Sequence, residues 1–183
     1  MIARVLSEKG KLRRAVTLYF HNFSRFDGII LLRHLALYLP DDLTIKPVVR
    51  NSRIYEIAVY LLNPLKNRLI LKIRDSCLLL PGSLADLADS FCPKAGGKGE
   101  IDHVNVTVDK LGINRKKYLD YLDQDILLLG RVVQKAQKIY WDEYLIDIVS
   151  EMTISSLAMT IFRMKYYDDV HPLMNNGFSF IQL

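Results

Sequence analysis

Hydrophobic positions fall into runs whose period changes along the chain. Residues 15–20 (Ala-Val-Thr-Leu-Tyr-Phe) are β-branched and aromatic almost throughout, which predicts a buried strand. The break His21-Asn22-Phe23-Ser24-Arg25-Phe26-Asp27-Gly28 follows, and residues 29–39 predict a mostly apolar helix ended by Pro40. Residues 54–62 and 69–73 predict two more strands, with Asn63-Pro64 and Lys66-Asn67 between them as a hairpin loop. After the Pro81-Gly82 turn, Ser83 is placed to cap a short helix over 84–91. Residues 93–99 (Pro-Lys-Ala-Gly-Gly-Lys-Gly) read as flexible and basic. A long helical pattern runs from 116 to about 141, and one or two further helices are expected over 144–167. This order of strand, helix, hairpin and helices predicts an α/β fold, with no internal repeat.

One helical position breaks its own pattern. At about 100° per residue, the face centred on Asp125 also carries Tyr118, Tyr121, Leu122, Leu128, Leu129, Val132, Ala136 and Ile139. Asp120 and Asp123 fall on the opposite, solvent side. An ionised carboxylate buried without a partner costs several kcal/mol or more, so a metal ion, a basic side chain or a proton must compensate it. A buried salt bridge and a metal site are both open readings of Asp125. Asp27 is a second candidate, because it lies just past the C-terminal end of a buried strand, where α/β folds gather ligands. By itself it reads more simply as a helix N-cap.

Composition narrows the class. The chain has 183 residues, 50% hydrophobic and 25% charged, which suits one globular domain, or one domain with an appendage, and argues against disorder. Its net charge of +5 fits a nucleic-acid partner, although a basic balance alone says little. Cys77 and Cys92 have no metal-ligand spacing and are too few for a disulfide framework, which points to a reducing compartment. No long apolar run is free of charge, so no membrane span is expected. The first nine residues include Glu8 and do not read as a secretory signal. The cluster Lys9, Lys11, Arg13 and Arg14 reads as a solvated face.

With these residues in view, the chain resembles the family B DNA polymerases. His21-Asn22-Phe23-Ser24-Arg25-Phe26-Asp27 resembles their Exo II motif, Asn-x-x-x-Phe-Asp after a strand. Tyr121-Leu122-Asp123-Gln124-Asp125 resembles Exo III, Tyr-x-x-x-Asp on a helix. The stretch from Asp75-Ser76-Cys77 through Pro81-Gly82-Ser83 to Ala88 resembles the organellar and viral branch, which includes the protein-primed polymerases of mitochondrial linear plasmids. Ser156-Leu157-Ala158-Met159-Thr160-Ile161-Phe162-Arg163 resembles the helical segment leading towards the palm. The four stand in the family's order.

The resemblance implies a partial ribonuclease-H-like 3′→5′ exonuclease domain over 1–143, lacking its first strands, and a helical connector over 144–183 towards an absent palm. It implies a pair of Mg²⁺ or Mn²⁺ ions about 3.5–4 Å apart, with Asp27 and Asp125 among their carboxylates. Those two carboxylates should then lie within roughly 8 Å of each other. Tyr121, one turn before Asp125, would face the same pocket and orient the attacking water. Asn22 and Phe26 would meet a single-stranded 3′ end. Ser83-Leu84-Ala85-Asp86-Leu87 matches a Ser/Thr-Leu-x-x-hydrophobic motif, which makes Ser83 and Leu84 candidate DNA contacts, although both also read as a cap and a core leucine. Arg163 and Lys165 should be surface residues.

There are departures. The chain contains no Asp-x-Glu triplet, the Exo I motif, so the metal pair should be under-coordinated and the sheet should keep an unpaired edge. Neither Asp-x-x-Ser-Leu-Tyr-Pro nor Asp-Thr-Asp occurs, and Tyr167-Asp168-Asp169 follows a helical pattern and is set aside. Asp86 and Asp89 lie where relatives often carry Lys or Arg. The expectation is therefore a fragment of a replicative DNA-directed DNA polymerase, inactive alone, whose complete form meets primer-template DNA and dNTP. Mitochondrial, organelle-encoded residence is expected by the same resemblance. The alternatives are a non-catalytic, decayed reading frame with residual nucleic-acid binding, and a free-standing nuclease, which the missing Asp-x-Glu argues against.

Overall fold

The structure, a computed structural model, describes residues 14–93 and 112–166, with Ile2 and Ser7. Lys9, Lys11, Arg13, most of the basic stretch after Pro93 and Tyr167-Asp168-Asp169 lie outside the described residues. Strand β1 (Val16–Phe20) leads through the six residues 21–26 into helix α1 (Asp27–Tyr38). Strands β2 (Leu43–Arg50), β3 (Arg53–Leu61) and β4 (Arg68–Asp75) follow. Helices α2 (Ser76–Leu79), α3 (Leu84–Phe91), α4 (Arg115–Tyr144) and α5 (Ile154–Lys165) come next, with a 3₁₀ turn over Ile148–Ser150 before α5.

The four strands form one mixed sheet in the order β1-β4-β3-β2. β1 runs parallel to β4, and β2, β3 and β4 are antiparallel neighbours. The expected hairpin is thus β3–β4, and β1 forms one edge of the described sheet. β2 was not anticipated. Pro47 lacks an N–H and argues against a strand, but β2 is the other edge, where the lost donor breaks no ladder on its outer side. The β2–β3 turn places Asn51 and Ser52 at φ 48° and 59°, the positive values a tight hairpin turn needs.

Register separates the two faces of the sheet. Leu18 stands beside Ile73, which stands beside Ile57, and this apolar row joins Phe23, Leu35, Ile70 and Leu71 in a core under α1. Helix α1 stops at Leu39, which is extended because Pro40 follows. The opposite face is covered by a second core, in which Leu84, Leu87 and Ala88 of α3 meet Leu128, Val132 and Ala136 of α4, with Ile148 and Leu157. Burial therefore falls where the helical periodicity placed it, with Leu122 and Ile139 at the exposed border of the stripe. Asp120 and Asp123 are exposed, as expected.

The second face holds a buried polar row. Tyr19, Arg74 and Glu56 are aligned across β1, β4 and β3. Arg74 Nε donates to Glu56 Oε2 at 2.6 Å, and another guanidinium nitrogen donates to the carbonyls of Val149 (3.0 Å) and Glu151 (3.2 Å). The Thr160 hydroxyl donates to Glu151 Oε1 (2.8 Å), and Gln137 donates to Asp147 (2.8 Å). The Arg74 bonds fasten the segment between α4 and α5 to the sheet, and the other two fasten it to α5 and α4. Arg163 and Lys165 are exposed, and Lys165 lies over the Tyr144 ring while donating to the Glu143 carbonyl.

Candidate metal and nucleic-acid site

The loop after β1 is fixed from beneath. Phe23 is fully buried and packs on Phe20, with ring centroids 5.4 Å apart. Gly28 brings its N–H to the Phe23 carbonyl at 2.9 Å, and a Cβ at this position would meet the same oxygen at 2.9 Å. Only glycine permits that approach. Asn22 sits in the left-handed region at φ 63°, which asparagine tolerates. The Ser24 N–H donates to Asp75 Oδ2 (2.8 Å), and the Ser76 hydroxyl bridges the Phe20 carbonyl and the His21 ring.

This anchoring turns the expected site residues outward. Phe26 is 64% exposed, Asp27 is exposed and Asn22 is half-buried. Helix α1 begins at Asp27 itself, with Phe26 at the N-cap position and no side-chain cap. The N-cap reading of Asp27 is therefore corrected. Its carboxylate lies in the first turn, where the helix dipole favours negative charge.

Asp125 lies in the first half of α4, half-buried, and its Oδ1 is fully buried without a hydrogen-bond partner. Among the described residues that oxygen has no hydrogen-bonding partner, and a buried oxygen of this kind suits a cation. Tyr121 is half-buried one turn earlier on the same face. Among the described residues, no group of three or more His, Cys, Asp and Glu side chains is gathered to hold a metal ion. Two carboxylates are fewer than a hard divalent ion needs, so an ion held by Asp27 and Asp125 would require ligands from elsewhere.

Ser83 and Leu84 take the structural roles the sequence also offered. The Ser83 hydroxyl accepts from the Asp86 N–H and donates to the Asp86 carboxylate, and Leu84 is buried against α4. Ser83 is exposed and Leu84 is buried. Cys77 Sγ lies 3.4 Å from His21 Nε2. Burial pushes the Cys77 thiol up from its ordinary value, and the nearby Asp75 charge adds to this, so Cys77 is not an activated nucleophile. Sequence reasoning passed over Asp75 and the Arg74–Glu56 pair. An Asp followed two residues later by a helical N–H was the available signal for Asp75.

The model of the family described as DNA polymerase type B, organellar and viral, matches residues 11–118 and 113–181. The chain belongs to this family. It is 26% identical over 212 aligned residues to a probable DNA polymerase of Agaricus bitorquis, covering 94% of this chain and 25% of the relative. It is 28% identical to a probable DNA polymerase of Neurospora intermedia, covering 84% of this chain and 20% of the relative. The chain thus spans about a quarter or less of the curated relatives' length. Phi29 DNA polymerase complexed with primer-template DNA is similar in structure, with a TM-score of 0.61 at 23% identity over 88% of this chain and 27% of that one. Its complex with single-stranded DNA gives 0.60 at 22% identity, over 89% and 28%. The likeness establishes the fold as the expected partial ribonuclease-H-like α/β arrangement. Among the described residues, no helix is long and apolar enough to cross a membrane.

Proposed function

We propose that this chain is a portion of the 3′→5′ proofreading exonuclease region of a replicative, DNA-directed DNA polymerase, with residues 144–183 leading towards the palm. The observation that carries this reading is the buried, unpartnered Oδ1 of Asp125, on the one carboxylate that the helix turns towards its apolar side. Asp27 and Asp125 supply two of the metal-site carboxylates, whose oxygens suit Mg²⁺ or Mn²⁺. Bound ions in such a site activate water and stabilise the leaving oxygen of a phosphodiester. Tyr121 orients the water through its hydroxyl. Phe26, aromatic and mostly exposed, offers a stacking surface for a terminal base, and Asn22 a polar contact beside it. In the complete enzyme the partners are primer-template DNA and dNTP, and residence is mitochondrial, by resemblance to the linear-plasmid branch.

Two carboxylates without the Asp-x-Glu pair leave the chain alone without exonuclease activity. A second reading is a non-catalytic remnant that binds nucleic acid, and the two-carboxylate site is common to both readings. Labelled single-stranded DNA incubated with the purified chain and Mn²⁺ separates these. No cleavage is expected from the chain alone, and cleavage on adding a polypeptide that carries the Asp-x-Glu strand. Cleavage by the chain alone, abolished in Asp125→Ala, would overturn its inactivity. Salt-sensitive binding that complementation never turns into cleavage would favour the remnant.

A further inference from the structure

Asp75 is 1% exposed, the most buried charged residue of the sheet, and no role in metal binding uses it. Its two carboxylate oxygens have separate tasks. Oδ2 accepts the Ser24 N–H at 2.8 Å, across 51 residues of sequence, and Oδ1 accepts the Cys77 N–H at 2.9 Å as the cap of α2. Asp75 is paired in register with Phe20, the last residue of β1. One carboxylate therefore ties the middle of the loop that carries Asn22 and Phe26, and that leads into Asp27 at the start of α1, to the end of β4.

We propose that Asp75 is a positioning residue for that loop: its carboxylate sets where Asp27 and Phe26 stand relative to the sheet. This rests on the assignment of Asp27 to the metal site. The chemistry is specific to a carboxylate. Ser24 and Cys77 both present N–H donors, and only a side chain with two acceptor oxygens satisfies both. Asparagine has one acceptor and one NH₂ donor, so Asp75→Asn keeps one bond and sets a donor against a donor at the other. Both bonds go to a charged acceptor, the stronger kind.

The test uses the ¹⁵N-labelled chain, with amide hydrogen exchange read at Ser24 and Cys77 and Mn²⁺ affinity read from the EPR signal of free Mn²⁺. Asp75→Asn is compared with Glu56→Gln, which alters another buried carboxylate on the same sheet that makes no bond to the loop. In Asp75→Asn, exchange at Ser24 or Cys77 is expected to rise about 10- to 100-fold, and Mn²⁺ affinity to fall about 10-fold. Glu56→Gln is expected to lower the denaturation midpoint while leaving both readouts in place. Unchanged exchange at both amides in Asp75→Asn overturns the proposal, as does an equal loss of Mn²⁺ affinity in Glu56→Gln. Absence of Mn²⁺ binding in the unaltered chain sinks the metal reading of Asp27, and the exchange data then decide whether Asp75 holds the loop. Should Asp75→Asn fail to fold, the unaltered chain decides: a Ser24 amide exchanging as fast as an unprotected one refutes the bond.

Discussion

Replacing Arg74 by methionine tests whether the polar row across the sheet holds the connector in place. The Arg74 and Glu56 side chains are 5% and 9% exposed, so water cannot take over when one partner is removed. Arg74→Met keeps a similar volume but leaves the Glu56 carboxylate buried and uncompensated. Breaking a buried pair in this way costs about 3–5 kcal/mol. The carbonyls of Val149 and Glu151 also lose their donor, at about 1 kcal/mol each where water does not replace it. Since these losses share one side chain, we place the total at about 4 kcal/mol. With a slope of roughly 2 kcal/mol per molar urea, the unfolding midpoint should fall by about 2 M. Far-UV circular dichroism in a urea titration reads the shift. The double variant Arg74→Met with Glu56→Leu removes the stranded charge and should recover much of the loss. A shift from Arg74→Met below about 1 kcal/mol, or a double variant no more stable than the single, would refute the argument.

Other expectations follow from single sites. Gly28→Ala forces a methyl group against the Phe23 carbonyl and should destabilise by about 1–3 kcal/mol, read by the same titration; a neutral effect would mean the loop yields freely. Asp125→Leu removes an unpartnered buried oxygen, so without metal it should stabilise by about 1 kcal/mol while losing any stabilisation that Mn²⁺ gives the unaltered chain. If the variant is equally stabilised by Mn²⁺, Asp125 is not a ligand. Because burial raises the Cys77 thiol above its unfolded value, its stabilising contribution is complete below the unfolded thiol range and lost as pH rises through the folded value. Between pH 8 and 10 the unaltered chain should therefore lose more stability than Cys77→Ala, and parallel curves would contradict the shift. Leu145 ends α4 in the left-handed region at φ 56° and is 69% exposed, so Leu145→Gly should stabilise by about 0.5–1 kcal/mol, measured as a higher midpoint.

Local rules reached some elements and not others, and the difference is physical. The helix at 84–91 was legible because Ser83 caps it through a contact three residues long, and such contacts are written within a few positions of sequence. The end of α1 was legible for the same reason, through Pro40. β2 was missed because the meaning of Pro47 depends on whether its strand is an edge, which only the strand order decides. The run Lys72-Ile73-Arg74-Asp75 alternates like a strand with one wet face, yet Arg74 is buried because residues 149–151, some 75 positions later, close over it.

The same distinction governs the candidate site. Asp125 could be found because a helix carries its own reference frame: seven or eight neighbours on one face say where the apolar side lies, whatever packs there. Asp27 had no such frame. Its side chain turns outward because Phe23 is buried, Gly28 closes on the Phe23 carbonyl and Asp75 holds Ser24, and only the first two of these residues belong to the same stretch of sequence. A carboxylate where a loop enters a helix is thus placed by groups that periodicity cannot see. The residue that identifies the loop in sequence, Asp27, and the residue proposed to orient it, Asp75, are therefore separable by substitution. On the proposed metal site, removing the first should remove a ligand, and altering the second should keep the ligand while displacing it.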